Sequence, residues 1–267
     1  MLATTLAVLT ALIYLVATGI QLTHIAQRRQ QIDRAVLSLG LIAITGHAAL
    51  AWQSTMTTGA LDFSFYKVPV LIFLVINIAC VASLMRRPLQ NLLVILFPLS
   101  AVAVLVSTFA PTTSEVSHNI PGGVLIHIGS SILAYSVLTI ASFQAALVAI
   151  QHRQLKGHHT SGIVQILPPL QLMESMLFEM LWVGVALLTV SIGSGMVFLD
   201  DIFAQHLVHK TVLAIMAWLL FTTLLWGHHQ LGWRAQTAVR FTLAGFCLLM
   251  LAYFGSKLVL ELVLSNS

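Results

Sequence analysis

Charge is what this chain has least of. Asp, Glu, Lys and Arg together make up 7% of its 267 residues, against about 25% in an ordinary soluble domain. A water-facing surface cannot be assembled from that set, whereas a lipid-facing one can. Cysteine is as scarce: Cys80 and Cys247 are the two present, both inside apolar runs. They read as small buried apolar residues, which argues against a disulfide framework. Also missing are a His-Glu-x-x-His pair, a Ser-His-Asp constellation and a phosphate-binding glycine loop, so hydrolytic and nucleotide chemistries lack their usual carriers. The formal charge of +4 and pI near 9.4 do not indicate nucleic acid, because the 12 Lys and Arg are scattered between apolar runs and form no patch or arm.

What is abundant is hydrocarbon. Apolar types reach 58%, and they fall into eight runs near 3–23, 35–55, 64–85, 90–109, 120–150, 175–199, 209–229 and 236–262. Each is long enough to suggest a membrane helix of roughly 20 residues. No alternating pattern of short strands is present, and helix is the open-ended element that satisfies its own backbone in lipid. The expectation is an all-α integral membrane protein with about eight transmembrane helices in a single polytopic domain, 1–267, embedded in the bilayer. The first run, MLATTLAVLTALIYLVATGI, lacks the basic flank of a cleaved signal peptide and reads as a retained first helix.

Orientation follows from the loops. Arg28, Arg29, Arg34, Arg86, Arg87, Arg153, Lys156, Arg234 and Arg240 occupy alternate loops, nine of the 12 positive charges. The other side holds Lys67, Lys210 and Lys257, with Asp62, Glu115, Asp200, Asp201 and Glu261. The basic loops are therefore assigned to the cytoplasm and both termini to the periplasmic, outer side. The longest loop, 152–174, carries linker-like Gly157, Ser161 and Gly162; Pro168 and Pro169 restart the chain, with Met173 and Glu174 opening the sixth helix. Glu174 and Glu179 near that end read as an interfacial turn.

Polar side chains inside spans cost free energy, which directs attention to the 11 histidines. His118, His152, His158 and His159 fall in loops, His206 and His209 at the outer end of the seventh span, and His24 at the cytoplasmic end of the first. His47 lies inside the second span beside Gly46, whose missing side chain leaves room for another helix or a flat ligand. His127 lies about two turns into the fifth, followed by a stripe of Ser130, Ser131, Tyr135 and Ser136. His228 and His229 close the seventh. A neutral imidazole whose second nitrogen is held by a hydrogen bond is a good ligand for haem iron. It is also a common helix-to-helix hydrogen bond, worth about 1 kcal/mol, and spacing alone does not choose between the two. Carboxylates that could partner these imidazoles around a hydrolytic metal are few.

Two stretches, PGGVLIHIGSSILAYSVLTIASFQAAL and KTVLAIMAWLLFTTLLWGHHQLGWRAQTAVRFTLAGFCLLMLAYFGSKLV, resemble the histidine helix and the last two helices of the CcsA-type cytochrome c assembly, or haem-handling, membrane proteins. The intervening LPPLQLMESMLFEMLWVGVALLTVSIGSGMVF fits the same family, and the first half matches in helix pattern and in Gly46-His47. The resemblance implies a bacterial inner-membrane protein that binds haem b non-covalently and works with other proteins of cytochrome c maturation. By position the family's intramembrane ligands correspond to His47 and His228, and the first of its outer pair to His127. Depth complicates the pairing: at 1.5 Å per residue His47 lies roughly 20 Å from Arg34, His228 about 9 Å from Arg234 and His127 about 9 Å from Pro121. The pairing is left open.

Two departures bear on activity. Synthetase members carry a tryptophan-rich WGxxWxWD segment between the helices matched here by the sixth and seventh, where this chain has GSGMVFLDDIFAQHLVHK; the second outer histidine is absent from the ending ELVLSNS. The expectation is haem handling without synthetase activity. The alternative is a non-haem accessory or regulatory subunit, of an ion transporter or of haem biosynthesis. A transporter is a third class, for which no inverted repeat or broken pair of spans is visible.

Overall fold

The computed structural model describes residues 2–27, 33–57, 60–64, 66–84, 89–110, 116–117, 120–157, 167–198 and 208–255. Outside them lie Arg28, Arg29, Arg86, Arg87, Glu115, His118, His158, His159, Asp200, Asp201, His206, Lys257 and Glu261. The middle of the segment lacking tryptophan (199–207) and the chain's last residues lie outside them too.

Eight α-helices are described: α1 Leu2–Ala26, α2 Arg34–Thr55, α3 Val68–Ser83, α4 Leu93–Phe109, α5 Gly122–Lys156, α6 Leu170–Phe198, α7 Val208–Leu231 and α8 Ala235–Met250. They coincide with the eight apolar runs. Seven, counting the short turns at Gln90–Leu92 before α4 and Leu251–Gly255 after α8, are long and apolar enough to cross a membrane. The exception is α3, whose 16 residues rise about 24 Å, short of a hydrocarbon core of roughly 30 Å. The fifth run is longer as a helix than as an apolar stretch: α5 continues through Gln151, His152 and Arg153 to Lys156. The sixth begins at Leu170, directly after Pro168-Pro169 and four residues before Glu174.

The chain divides into two compact units, Met1–Asn119 and Ile120–Ser267. In the first, α1 packs on α2 and α4, and α3 on α2 and α4. Local sequence sets the starts: the Asp33 carboxylate accepts from the Ala35 N–H (2.9 Å) as the cap of α2, and Pro69 occupies the first turn of α3. Gly46 lets α1 and α2 approach closely, since a Cβ there would lie 2.5 Å from the Thr10 hydroxyl. The room beside His47 is thus taken by a helix.

One end of this unit carries a three-stranded antiparallel sheet of very short strands, β1 Met56–Thr57, β2 Ala60–Asp62 and β3 Val116–Ser117. Register pairs Met56 with Leu61 and Leu61 with Ser117. Beside it the buried Asp62 carboxylate receives the Lys67 ammonium and the Ser64 N–H. Burial alone would raise its pKa; the bonds from Lys67 and Ser64 outweigh that and hold it below the ordinary range.

In the second unit α5 packs along α6 and against α8, and α7 against α6 and α8. The α5 interface uses small residues, Ala134, Ser136, Ala141, Ser142 and Ala145, all buried, as close helix contacts in lipid require. Large apolar residues turn outward in both units, among them Leu41, Trp52, Trp182, Val183, Leu219 and Trp226. Exposed hydrocarbon on every long helix, with serine, threonine and glutamine inside, is the inverse of a soluble surface and suits a bilayer.

Two outcomes follow. Gly46→Ala should lower stability by about 1–3 kcal/mol through overpacking, seen as an earlier thermal transition in detergent, and Thr10→Ala should relieve it; equal transitions for wild type and Gly46→Ala would refute the close approach. Because folding holds the Asp62 carboxyl below its unfolded value of about 4, its contribution is complete above that value. It is lost as pH falls through the lower folded one. Asp62→Asn should therefore destabilise at neutral pH and flatten the fall in stability below about pH 4.

Candidate functional site

The three intramembrane histidines occupy three different environments. His47 is fully buried at the centre of the first unit. Its Nε2–H donates to the Val70 carbonyl of α3 (3.0 Å), which leaves Nδ1 to accept the Tyr14 hydroxyl of α1 (3.1 Å). The Tyr14 oxygen in turn accepts from Asn77 Nδ2 (3.1 Å), which also reaches Ser100 Oγ of α4 (2.7 Å). Ser100 closes the chain by donating to the Leu96 carbonyl (2.7 Å). One network thus ties α1, α2, α3 and α4. The Tyr14 ring also meets His47 edge-on, with centroids 5.9 Å apart, and Phe97 at 5.2 Å. With both ring nitrogens engaged, His47 could bind a metal only by giving up the tyrosine hydroxyl.

His127 is half-buried near the start of α5. Its Nδ1–H donates to the Ser191 carbonyl of α6 (2.7 Å), which fixes the tautomer and leaves Nε2 with no hydrogen-bond partner among the described residues. Ser131 supports the same spot, donating to the His127 carbonyl (2.7 Å) and bonded to Ser191 Oγ (2.6 Å). A cavity of about 120 Å³ opens here between the start of α5, the end of α6 and the start of α7. His127, Ser131 and Lys210 give it a polar side; Leu188, Ile192 and Ile215 give it an apolar one. The Lys210 ammonium lies 5.6 Å from the Tyr253 ring centroid, a cation–π distance, and Tyr135 anchors α5 to α8 by donating to the Leu249 carbonyl (2.9 Å).

His228 sits at the far end of the second unit. Its Nδ1–H donates to the Trp233 carbonyl (2.7 Å) and its ring stacks on Phe178 of α6, centroids 3.5 Å apart. A tight corner makes this possible. Gly232 adopts φ +67°, a conformation glycine takes without strain, and Gly227 has no side chain to collide with the Trp233 ring, which a Cβ would meet at 2.3 Å. Neighbouring His229 is exposed.

Within the second unit His127 and His228 are not brought together. One contacts Ser191 and the other Phe178 on the same helix. Those residues are 13 positions apart, so about 20 Å along its axis, whereas two ligands of one iron would be neighbours. His47 belongs to the other unit. As iron donors, His127 and His228 meet the requirement that one nitrogen be held by a carbonyl and the other be available. His127 lines a cavity that also carries a cation, Lys210. That cavity is smaller than the roughly 300–1,000 Å³ of sites that enclose a whole ligand, so a porphyrin would enter it only in part.

Sequence reading overlooked several of these partners. Asn77, the lone amide in VPVLIFLVINIACVAS, is not singled out by the sequence, and Lys210 counts there only among the charges of the outer side. Nothing in the sequence signals the Ser191 and Trp233 carbonyls.

Many apolar spans enclosing fixed imidazoles define a multi-pass helical membrane protein. The chain belongs to the cytochrome c assembly protein family, whose model, described as "Cytochrome C assembly protein", matches residues 5–264. It is 31% identical to the inner membrane protein YpjD of Escherichia coli K12 over 259 residues, 95% of this chain and 98% of that one. It is 23% identical to protein HemX of Brevibacillus brevis over 159 residues, 58% of each. No solved structure matches.

The Tyr14 hydroxyl both donates and accepts within the first unit. Tyr14→Phe strands His47 Nδ1 and one Asn77 N–H, at a cost of about 1–3 kcal/mol. The expected result is a lower unfolding midpoint in detergent; an unchanged midpoint would mean that the network does not hold the four helices.

Proposed function

We propose that this protein handles haem in the bacterial inner membrane during cytochrome c assembly, binding haem b non-covalently and without synthetase activity of its own. The observation that carries this reading is the His127 cavity: an imidazole in a fixed tautomer, its Nε2 without a partner among the described residues, beside apolar walls and the Lys210 ammonium. Family membership supports it, and the name of the Escherichia coli relative supports the location.

In this reading His127 would hold the iron through Nε2, Ser191 and Ser131 would keep the ring oriented, and Lys210 would offset a propionate charge. The haem itself would be the group that the assembly process delivers. His228, with its Nδ1–H held by Trp233, is a second ligand position at the opposite end of the unit. His47 serves there only if the Tyr14 hydroxyl is displaced. The missing tryptophan segment is the ground for assigning haem holding or relay rather than attachment, and other maturation proteins are the partners to which haem would pass. The loop charges orient the chain with both termini outward. That topology needs α3 to cross as the eighth span, which a locally thinned bilayer accommodates.

Protein purified from haem-replete cells should show a Soret band, and His127→Ala should cut it to less than about half, since loss of a ligand removes the main attachment of the iron. A colourless wild-type protein would sink the proposal and favour an accessory subunit, for which deletion would leave cytochrome c levels normal.

A further inference from the structure

The end of the second unit where α5 finishes and α8 begins carries a second cavity, of about 110 Å³, lined by none of His47, His127 and His228. The last turns of α5 contribute Ala149, His152 and Arg153; the first turns of α8 contribute Ala235, Gln236, Val239 and Arg240. Two guanidinium groups, an imidazole and an amide therefore surround one small space, and no carboxylate lines it. Neither Arg153 nor Arg240 makes an ion pair with any described residue. The cavity also receives the first residues of α8, a helix that Arg234, the residue before it, leaves without a side-chain cap. Its leading N–H groups and the positive end of its dipole add to the same field.

The charged groups at this space are both positive, Ala149, Ala235 and Val239 complete its wall, and it is too small for more than a compact anion. Guanidinium forks match the oxygens of a phosphate. The surroundings indicate what carries that phosphate. Both arginines lie at helix ends: Arg153 three residues before the end of α5, and Arg240 five residues, about 8 Å, beyond the start of α8. That is headgroup depth for membrane helices. Ile150 and Leu155, on either side of His152 and Arg153, are about 40% exposed, so apolar surface suited to acyl chains adjoins the basic site. Basic pockets between membrane helices at this level bind anionic lipid headgroups.

We infer that Arg153, Arg240, His152 and the start of α8 form a binding site for the phosphate of an anionic membrane phospholipid. The lipid would tie the end of α5 to the start of α8, two elements that pack together and come from distant parts of the chain. Its readout involves no haem, so this inference and the haem proposal stand or fall separately.

The test uses the full-length protein in a neutral detergent, with thermal unfolding followed as lipid is titrated in. Dioctanoyl phosphatidylglycerol should raise the midpoint saturably, and dioctanoyl phosphatidylcholine should not. The R153Q/R240Q double variant should need at least about tenfold more phosphatidylglycerol for the same shift, because two charge-assisted contacts are gone. Both arginines are exposed, so its lipid-free midpoint should match wild type. If that baseline falls, R153K/R240K takes its place, with an intermediate loss of affinity expected. Inorganic phosphate is the separating arm: stabilisation by phosphate but not by the lipid overturns the lipid source while keeping the phosphate site. Equal responses to the two lipids, or an undiminished response in the variants, overturn the site itself.

Discussion

Inside a hydrocarbon layer no water is available to complete a hydrogen bond, so every polar atom must find its partner within the protein. That constraint organises both units. It turns serines and threonines back onto their own helices, as with Thr18 on Tyr14, Ser136 on Ile132 and Thr139 on Tyr135. It draws Tyr14, His47, Asn77 and Ser100 from four helices into one cluster. It also gives each of the three imidazoles a backbone carbonyl to hold: Val70, Ser191 and Trp233. What separates them chemically is the other nitrogen, spent on tyrosine at His47 and without a partner among the described residues at His127 and His228. The same residue type thus serves as structural tie or as available donor, according to its second neighbour.

The second unit is polarised from end to end. Where α5 starts, the surface offers an imidazole, serine hydroxyls and one lysine beside an apolar wall. Where α5 ends, it offers guanidinium groups and the open start of a helix. The 35-residue length of α5 joins these two chemistries, and its packing against both α6 and α8 makes it the axis from which both are positioned.

Much of the fold was legible because apolar runs in a membrane protein are the helices: the run at 35–55 is α2, Arg34–Thr55, and that at 209–229 is α7, Val208–Leu231. Legibility failed where helix continues past the apolar region. Gln151 and its neighbours extend α5, since a helix leaving lipid needs no hydrocarbon to persist, and the Gln151 amide is used to hold the Pro168 carbonyl (2.8 Å). The strands, two or three residues each, leave no periodicity to read. At the site, the cost of a buried imidazole singled out His47, His127 and His228, but their roles depend on partners far along the chain. Tyr14 and Asn77 are 63 residues apart, and His127 and Ser191 are 64. Carbonyl acceptors are identical at every position, so no residue type announces them.

The small sheet has a consequence for how the chain is made. Its final strand, Val116–Ser117, pairs with Leu61 and Asp62 just before the first unit ends at Asn119. Every bond described within α1–α4 and the sheet lies upstream of α5. Synthesis runs from the N-terminus, and domains generally fold as units in that order. The first four helices can therefore complete their polar network as a closed insertion intermediate, before the helix that carries His127 has left the ribosome.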